Sequence, residues 1–278
     1  MEKKKIKSEK AIKKKKMRPI TEEKMTSENV DFDLFDSACK KIVGKEQGLN
    51  GIGTLSEKTV HAVLKYYYAP REDYHEIKIG SFVADICREG EIYEIQSKSF
   101  HLMRRKLDCF LKEHDVTIVY PVPLVKYIRW VDVDTGEVSP RKKSPLHGKL
   151  YDIVPELYAI KNYLKEDNLH FILCFIEMEE YKLLDGYSAN RKKGATKSDR
   201  IPTAIKGEFF IDRKEDYLNL LPESVLNHPE DEFTSSDLAL KAGCHVSYAR
   251  LLLHILNFLE LVERTGKTGN TYLYKIKR

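Results

Sequence analysis

Two carboxylates, Asp85 and Glu94, sit inside the apolar runs of "SFVADICREGEIYEIQSKSF", residues 81 to 100. A buried carboxylate is costly unless a partner offsets its charge. Glu89-Gly90 fits a two-residue hairpin turn, with Gly90 at a position that tolerates positive φ. That turn sets Arg88 opposite Glu91, Asp85 opposite Glu94 and Val83 opposite Gln96. Directly opposed residues have Cβ atoms roughly 4.5 to 5.5 Å apart, and strand periodicity puts Glu94 and Gln96 on one face. The spacing therefore predicts an oxygen-rich cluster of Asp85, Glu94 and Gln96. Two close carboxylates repel, and a hard divalent cation removes the repulsion. Mg2+ takes oxygen ligands, and Mn2+ is an alternative. Asp85 and Glu94 supply carboxylate oxygens, and the backbone carbonyl of Ile95 supplies another. Such an ion lowers the pKa of a bound water and stabilises charge on a phosphate oxygen. Gln96 does not titrate, so its part is to orient water or touch the metal. Lys98 stabilises charge if strand geometry continues past Gln96. The alternative pairs Asp85 with a lysine such as Lys78 and turns Glu94 to solvent.

The hairpin needs elements to hold it. "TLSEKTVHAVLKYYYAP" predicts a helix with Val60, Val63, Leu64 and Tyr67 on its buried stripe, ended by Pro70. Thr54 and Glu57 fit a capping box at its start. His61 lies one turn on from Glu57, as a structural histidine or a ligand. Short strands are expected near 75–79, 82–87 and 91–96. A helix capped by Ser97 or Ser99 follows, burying Phe100, Met103, Leu107 and Phe110. "VTIVYPVP" predicts a strand closed by its prolines, "VKYIRWVDVD" a separate strand, "YDIVPELYAIKNYL" a helix and "HFILCFIEM" a buried strand. Interleaved strands and helices point to a mixed α/β core. "DFDLFDSACKKIV" predicts a short helix and "QGLNGIG" a loop. "GYSANRKKGATKSDRIP" reads as a long basic loop, "GEFFI" as an edge strand and "NHPEDE", residues 227 to 232, as a linker.

With 278 residues, 42% hydrophobic and 33% charged, the chain has the composition of a soluble globular protein with room for one sizeable core and a small module. No run of about 18 apolar residues predicts a membrane span, and no signal-peptide pattern is present. Five scattered cysteines without a Cys-x-x-Cys suggest reduced, cytoplasmic thiols. The formal charge of +5 is uneven: residues 1 to 18 carry ten basic and two acidic side chains, so the remainder is slightly acidic. Residues 1–31 are expected to be a disordered basic tail, either an arm for a polyanion or a solubilising leader.

The run "HEIKIGSFVADICREGEIYEIQSKSF", followed by a helix and "VTIVYP", resembles the PD-(D/E)xK nuclease-like superfamily over roughly residues 54 to 178. Ala84 stands where that family has proline. The resemblance implies a restriction-endonuclease-like mixed sheet flanked by helices, and magnesium-dependent phosphodiester hydrolysis. It maps the family aspartate to Asp85, the glutamate to Glu94 and an auxiliary first-helix glutamate to Glu57. Gln96 occupies the usual lysine position, which puts the basic role in question. Arg104, Arg105 and Lys106 either meet backbone phosphate or form a solvated helix face. The "RKK" runs at 141–143 and 191–193 carry the same two readings. Tyr66, Tyr67 and Tyr68 form either part of the core or a stacking platform for bases.

Residues 233 to 278, "FTSSDLALKAGCHVSYARLLLHILNFLELVERTGKTGNTYLYKIKR", predict a helix capped by Thr234 and Asp237, a turn, and a longer helix through Leu259 capped by Ser247. A hairpin follows. This order resembles a winged helix-turn-helix. The resemblance implies double-stranded DNA as partner, read by His245, Ser247, Tyr248 and Arg250 at the start of the second helix, with Lys267 and Asn270 at the wing tip. Protein docking and a structural cap are the other readings. The expected organisation is a tail over 1–31, a nuclease-like domain over 32–226 and a winged-helix domain over 232–278. The expected function is a metal-dependent DNA endonuclease, possible in restriction or defence, acting as a homodimer or by sequential nicking. Its alternatives are a non-catalytic DNA-binding regulator on a degenerate nuclease fold, and a protein-interaction scaffold.

Overall fold

The computed structural model describes residues 20–50, 58–132, 134–184 and 196–277. The chain enters through helices α1 (Ile20–Lys24), α2 (Phe32–Asn50) and α3 (Lys58–Tyr68). A meander of β1 (His75–Ile79), β2 (Phe82–Arg88) and β3 (Glu91–Ile95) follows. Helix α4 (Arg104–Phe110) crosses to β4 (Asp115–Val131), then come β5 (Lys142–Lys143), α5 (Val154–Ala159) and the long strands β6 (Leu169–Leu183) and β7 (Thr196–Ile211). Helices α6 (Glu223–Leu226), α7 (Ser235–Ala242) and α8 (Val246–Phe258) lead to a hairpin, β8 (Val262–Thr268) and β9 (Thr271–Ile276). Among the described residues the large sheet has seven strands in the order β1-β2-β3-β4-β6-β7, with β5 against β4. Strands β3, β4 and β6 run parallel, and β1, β2 and β7 pair antiparallel. The fold is mixed α/β, a central sheet flanked by helices.

Strand alternation divides the core between the two sheet faces. Ile118, Phe171 and Phe175 point into one cluster, with Phe100, Leu107 and Leu157. Val119, Ile172 and Cys174 point into the other, with Phe35, Val63 and Leu64. The stripe of Val60, Val63, Leu64 and Tyr67 on α3 is buried as expected. Tyr67 and Tyr68 do not form a stacking platform. Tyr67 packs edge-on against Phe35, and the Tyr68 hydroxyl donates to Glu208.

Several expectations fail. Residues 20–31 are not part of a disordered tail. Helix α1 buries Thr21, and Thr26 bridges Glu208 on β7. Gly207 permits this approach, since a Cβ there would lie 2.7 Å from the Thr26 carbonyl oxygen. The short helix at 32 continues to Asn50 through most of the expected loop. The prolines do not close a strand: β4 runs through Pro121 and Pro123 to Val131, absorbing the separate strand. The Val119 carbonyl accepts from the Gln96 N–H on the β3 side. Residues two and four further along turn their nitrogens to that same side, where β3 has ended. A strand tolerates proline where no partner asks for an N–H. Strand β7 is the sheet edge as expected, but far longer than "GEFFI". It takes in residues 196–202 of the expected basic loop. The rest of that loop, including the "RKK" at 191–193, lies outside the described residues, as do Thr54 and residues 1–19.

The C-terminal elements appear in the expected order. Thr234 and Asp237 form a reciprocal cap on α7. The cap of α8 is His245, whose ring accepts from the Ser247 N–H, so Ser247 lies inside the helix. Phe233 bridges Tyr274, adding a short third pairing to the β8–β9 hairpin. The module packs against the rest of the chain. Leu252, Leu253, Ile255 and Leu256 of α8 belong to the same buried cluster as Leu157 of α5 and Phe171 of β6. The Tyr158 ring meets His254 edge-on at 5.3 Å, and the Lys161 ammonium lies 4.6 Å from the Phe258 ring centre. The five cysteines are free thiols. No helix among the described residues is long and apolar enough to cross a membrane.

Candidate functional site

The turn at Glu89-Gly90 has φ values of 53° and 92°, the left-handed pair that a tight two-residue hairpin requires. Its register is Arg88 with Glu91, Cys87 with Ile92 and Ile86 with Tyr93. The ladder stops there, one step before Asp85 and Glu94. The strands part, and the two carboxylates fill the gap. The Ile95 N–H donates to Asp85 Oδ2 at 2.8 Å, and the Asp85 N–H donates to Glu94 Oε1 at 3.1 Å. Strand β3 meanwhile stays paired with β4 on its other side, through Ile95 with Val119. The Gln96 N–H points at Val119 across that side. In a trans peptide the Ile95 carbonyl must point the opposite way, into the gap beside Asp85.

Neither half of the structural alternative is found among the described residues. Lys78 pairs by backbone with Val83 and is exposed. Glu94 is 3% exposed, and the Lys106 ammonium holds its Oε2 at 2.5 Å. Lys106 was legible only as a surface cation. The signal that places it is its position three residues after Met103, buried at the N-cap of α4, and one turn before Phe110, buried on α4. The ammonium also lies 5.6 Å from the Phe110 ring centre. Burial first, then the charge of Asp85, pushes the Glu94 carboxyl up to about 7, against the pull of Lys106.

That shift sets a pH dependence. In the folded chain Glu94 keeps its proton until about pH 7, whereas the unstructured side chain releases it near 4.5. Between these values the folded state binds more protons, so stability falls as pH rises through the window and levels off above it. Urea unfolding from pH 4.5 to 8 in chelator is expected to show this decline, and Glu94→Gln to remove it. An equal decline in both proteins would refute the assignment.

The remaining candidates divide. Gln96 is half-buried, and its amide donates to the Lys98 carbonyl. Lys98 is exposed in a bend past the end of β3, not on a strand. Ser99 starts the following turn with a left-handed backbone and makes no cap bond. Asp85, Gln96, Lys98 and His61 line an open cleft of about 600 Å³. Glu57 lies outside the described residues. Arg104 does not offer its guanidinium freely: Nε and Nη2 donate to the Ala159 carbonyl, tying α4 to α5. Arg105 and Arg250 are exposed, as are Lys267 and Asn270. The Lys267 ammonium lies over the Tyr272 ring. Arg141 lies over the Tyr127 ring and near Glu177 and Glu179, which accounts for one cation of that "RKK" run structurally.

Two further recesses continue from the cleft. One, of about 350 Å³, shares His61, Ser97 and Lys98 with it and runs along the edge of β4 beyond β3. The next shares His147 and Asp152 with that recess and ends on His245, Ser247 and Tyr248. The carboxylate hairpin and the head of α8 thus open onto adjoining depressions. Tyr248 is only half-exposed and packs against the core, so it is in part an interface residue.

Among the described residues no group of three or more His, Cys, Asp or Glu side chains is placed to hold a metal ion. What the site offers is two carboxylates and one carbonyl, an all-oxygen set that suits a hard cation retaining waters. Both Glu94 oxygens are engaged, so a cation would enter by displacing Lys106.

Comparison with known proteins bears on the sheet. A family model described as "Domain of unknown function (DUF8091)" matches residues 58–212, the span from α3 through β7. An uncharacterized protein of Treponema pallidum (strain Nichols) is 28% identical over 226 residues, covering 81% of this chain and 87% of that protein. No solved structure matches the chain.

Proposed function

The chain belongs to this family of unknown function, and we propose that it is a metal-dependent endonuclease hydrolysing phosphodiester bonds in double-stranded DNA. The observation that carries the reading is the gap in the hairpin. There Asp85 and Glu94 face each other beside an open cleft, and among the described residues it is Lys106 that meets their charge. The sequence of α3, the β1–β3 meander, α4 and a parallel β4 is the order that a restriction-endonuclease-like core would have, and the C-terminal unit has the order of a winged helix.

Asp85, Glu94 and the Ile95 carbonyl would hold Mg2+ or Mn2+, which when bound supplies a water of lowered pKa and charge stabilisation at the phosphate. Lys106, displaced from Glu94, would then face the phosphate and take the basic role that Gln96 cannot. Lys98 adds a second ammonium at the cleft mouth, and Gln96 fixes the bend by its bond to the Lys98 carbonyl. The exposed His245, Ser247 and Arg250 position the duplex. A cytoplasmic location agrees with the free thiols.

The test is cleavage of mixed duplex DNA with Mg2+ or Mn2+. Asp85→Asn with Glu94→Gln is expected to abolish cutting and to weaken metal affinity beyond the roughly 10–100-fold that outer contacts cost. Cutting that survives the double substitution defeats the proposal.

A second reading rests on the Lys106–Glu94 pair. If that pair never opens, the chain is a DNA-binding regulator on a nuclease-type scaffold. DNA binding without metal binding would select it.

A further inference from the structure

The recess beside the carboxylates has a composition that the hydrolase reading does not require. It lies where β4 runs on past the end of β3. Tyr120, Pro121, Pro123 and Met178 give it apolar walls, and Leu146 stands at its edge while 74% exposed. The Tyr120 hydroxyl donates to the Asp152 carbonyl, which fixes the ring against the wall. Lys98, Lys126 and Arg200 bring positive charge. Glu180, only 1% exposed, draws Lys126 to 3.2 Å and Arg200 to 4.0 Å, so both cations are held at the recess rather than loose in solvent. The volume of about 350 Å³ falls within the roughly 300–1,000 Å³ of small-ligand sites.

An apolar slot bordered by cations, opening onto a phosphate-cutting cleft, matches one nucleotide: a flat base with phosphates on either side. A base still paired in a duplex cannot enter with its partner attached. We propose that this recess receives an unpaired base of the nucleic-acid strand whose backbone crosses the Asp85–Glu94 cleft, so that the preferred substrate carries a flipped, bulged or single-stranded nucleotide. The inference rests on the endonuclease reading for the identity of the strand. Its recognition step needs no metal.

Binding of the full chain is measured in chelator with three probes: a DNA stem carrying one bulged 2-aminopurine, the same stem fully paired, and a free deoxynucleoside monophosphate. The bulged probe is expected to bind at least about tenfold more tightly than the paired one, from the stacking that an unpaired base gains. Its fluorescence is expected to change on binding. Leu146→Asp, at an exposed position where folding is not at stake, and Met178→Trp, which fills the slot, should each remove the preference. Equal affinity for bulged and paired stems overturns the proposal, and so does a preference unchanged by Leu146→Asp. A monophosphate binding as tightly as the bulged stem also overturns it, since the recess would then serve a free nucleotide. A chain that discriminates but never cuts sinks only the hydrolase. One that cuts without discriminating sinks only the base pocket.

Discussion

Lys106→Met lowers the unfolding free energy at pH 8 in chelator by about 3 kcal/mol, the lower end of the cost of breaking a buried ion pair, because the lysine is partly solvated. Glu94 is almost fully buried and sits across from Asp85, so removing the ammonium leaves two carboxylates with no cation between them among the described residues. The sign with pH is fixed by the raised Glu94 carboxyl. At pH 5 the folded chain holds that carboxyl protonated, the pair carries little charge, and the loss shrinks to about 1 kcal/mol or less. Millimolar Mg2+ should restore part of the loss at pH 8. A ligand at a hundred times its Kd adds about 2.7 kcal/mol to a state that alone binds it. Urea unfolding with and without Mg2+, at both pH values, reads all of this. No gain from Mg2+ in the variant would mean that the gap seats an ammonium and nothing else.

Leu252→Ala costs about 2–5 kcal/mol, the usual range for emptying a fully buried leucine site, and the loss is felt throughout the molecule. Leu252 sits in α8, yet its cluster is continuous with Leu157, Phe171 and the sheet. The chain's single tryptophan, Trp130, lies far along β4 with the Lys182 ammonium 5.3 Å from its ring centre. Its fluorescence reports the sheet alone. If the two units share one core, the Trp130 transition moves to lower urea together with the circular-dichroism transition. A Trp130 midpoint left in place while helical signal is lost would restore two independent domains, divided near residues 227–232.

The pH decline and the Lys106 result bear on the same atoms from opposite sides. Glu94→Gln removes the titrating group, and Lys106→Met removes its partner. Double-variant unfolding that is milder than the sum of the two would be the mark of a direct pair.

Much of the site was legible because it depends on local chemistry. Glu89-Gly90 dictates a tight turn, the turn dictates the register, and the register places Asp85 beside Glu94 with no knowledge of the rest of the chain. The stripe on α3, the Thr234–Asp237 cap and the order of the C-terminal elements follow from periodicity and side-chain reach in the same way. Three matters rest on neighbours that no local pattern names. Lys106 is twelve residues from Glu94 and on another element, so only the crossing of α4 over the sheet selects it from three adjacent cations. Pro121 and Pro123 look like strand breakers until β3 is seen to end beside them. Residues 20–31 read as polar tail until Gly207 leaves room for Thr26 on β7. The sequence alone thus determined which carboxylates would meet. Tertiary structure decided what answers their charge, because burial and the choice of partner are properties of packed surfaces rather than of a segment.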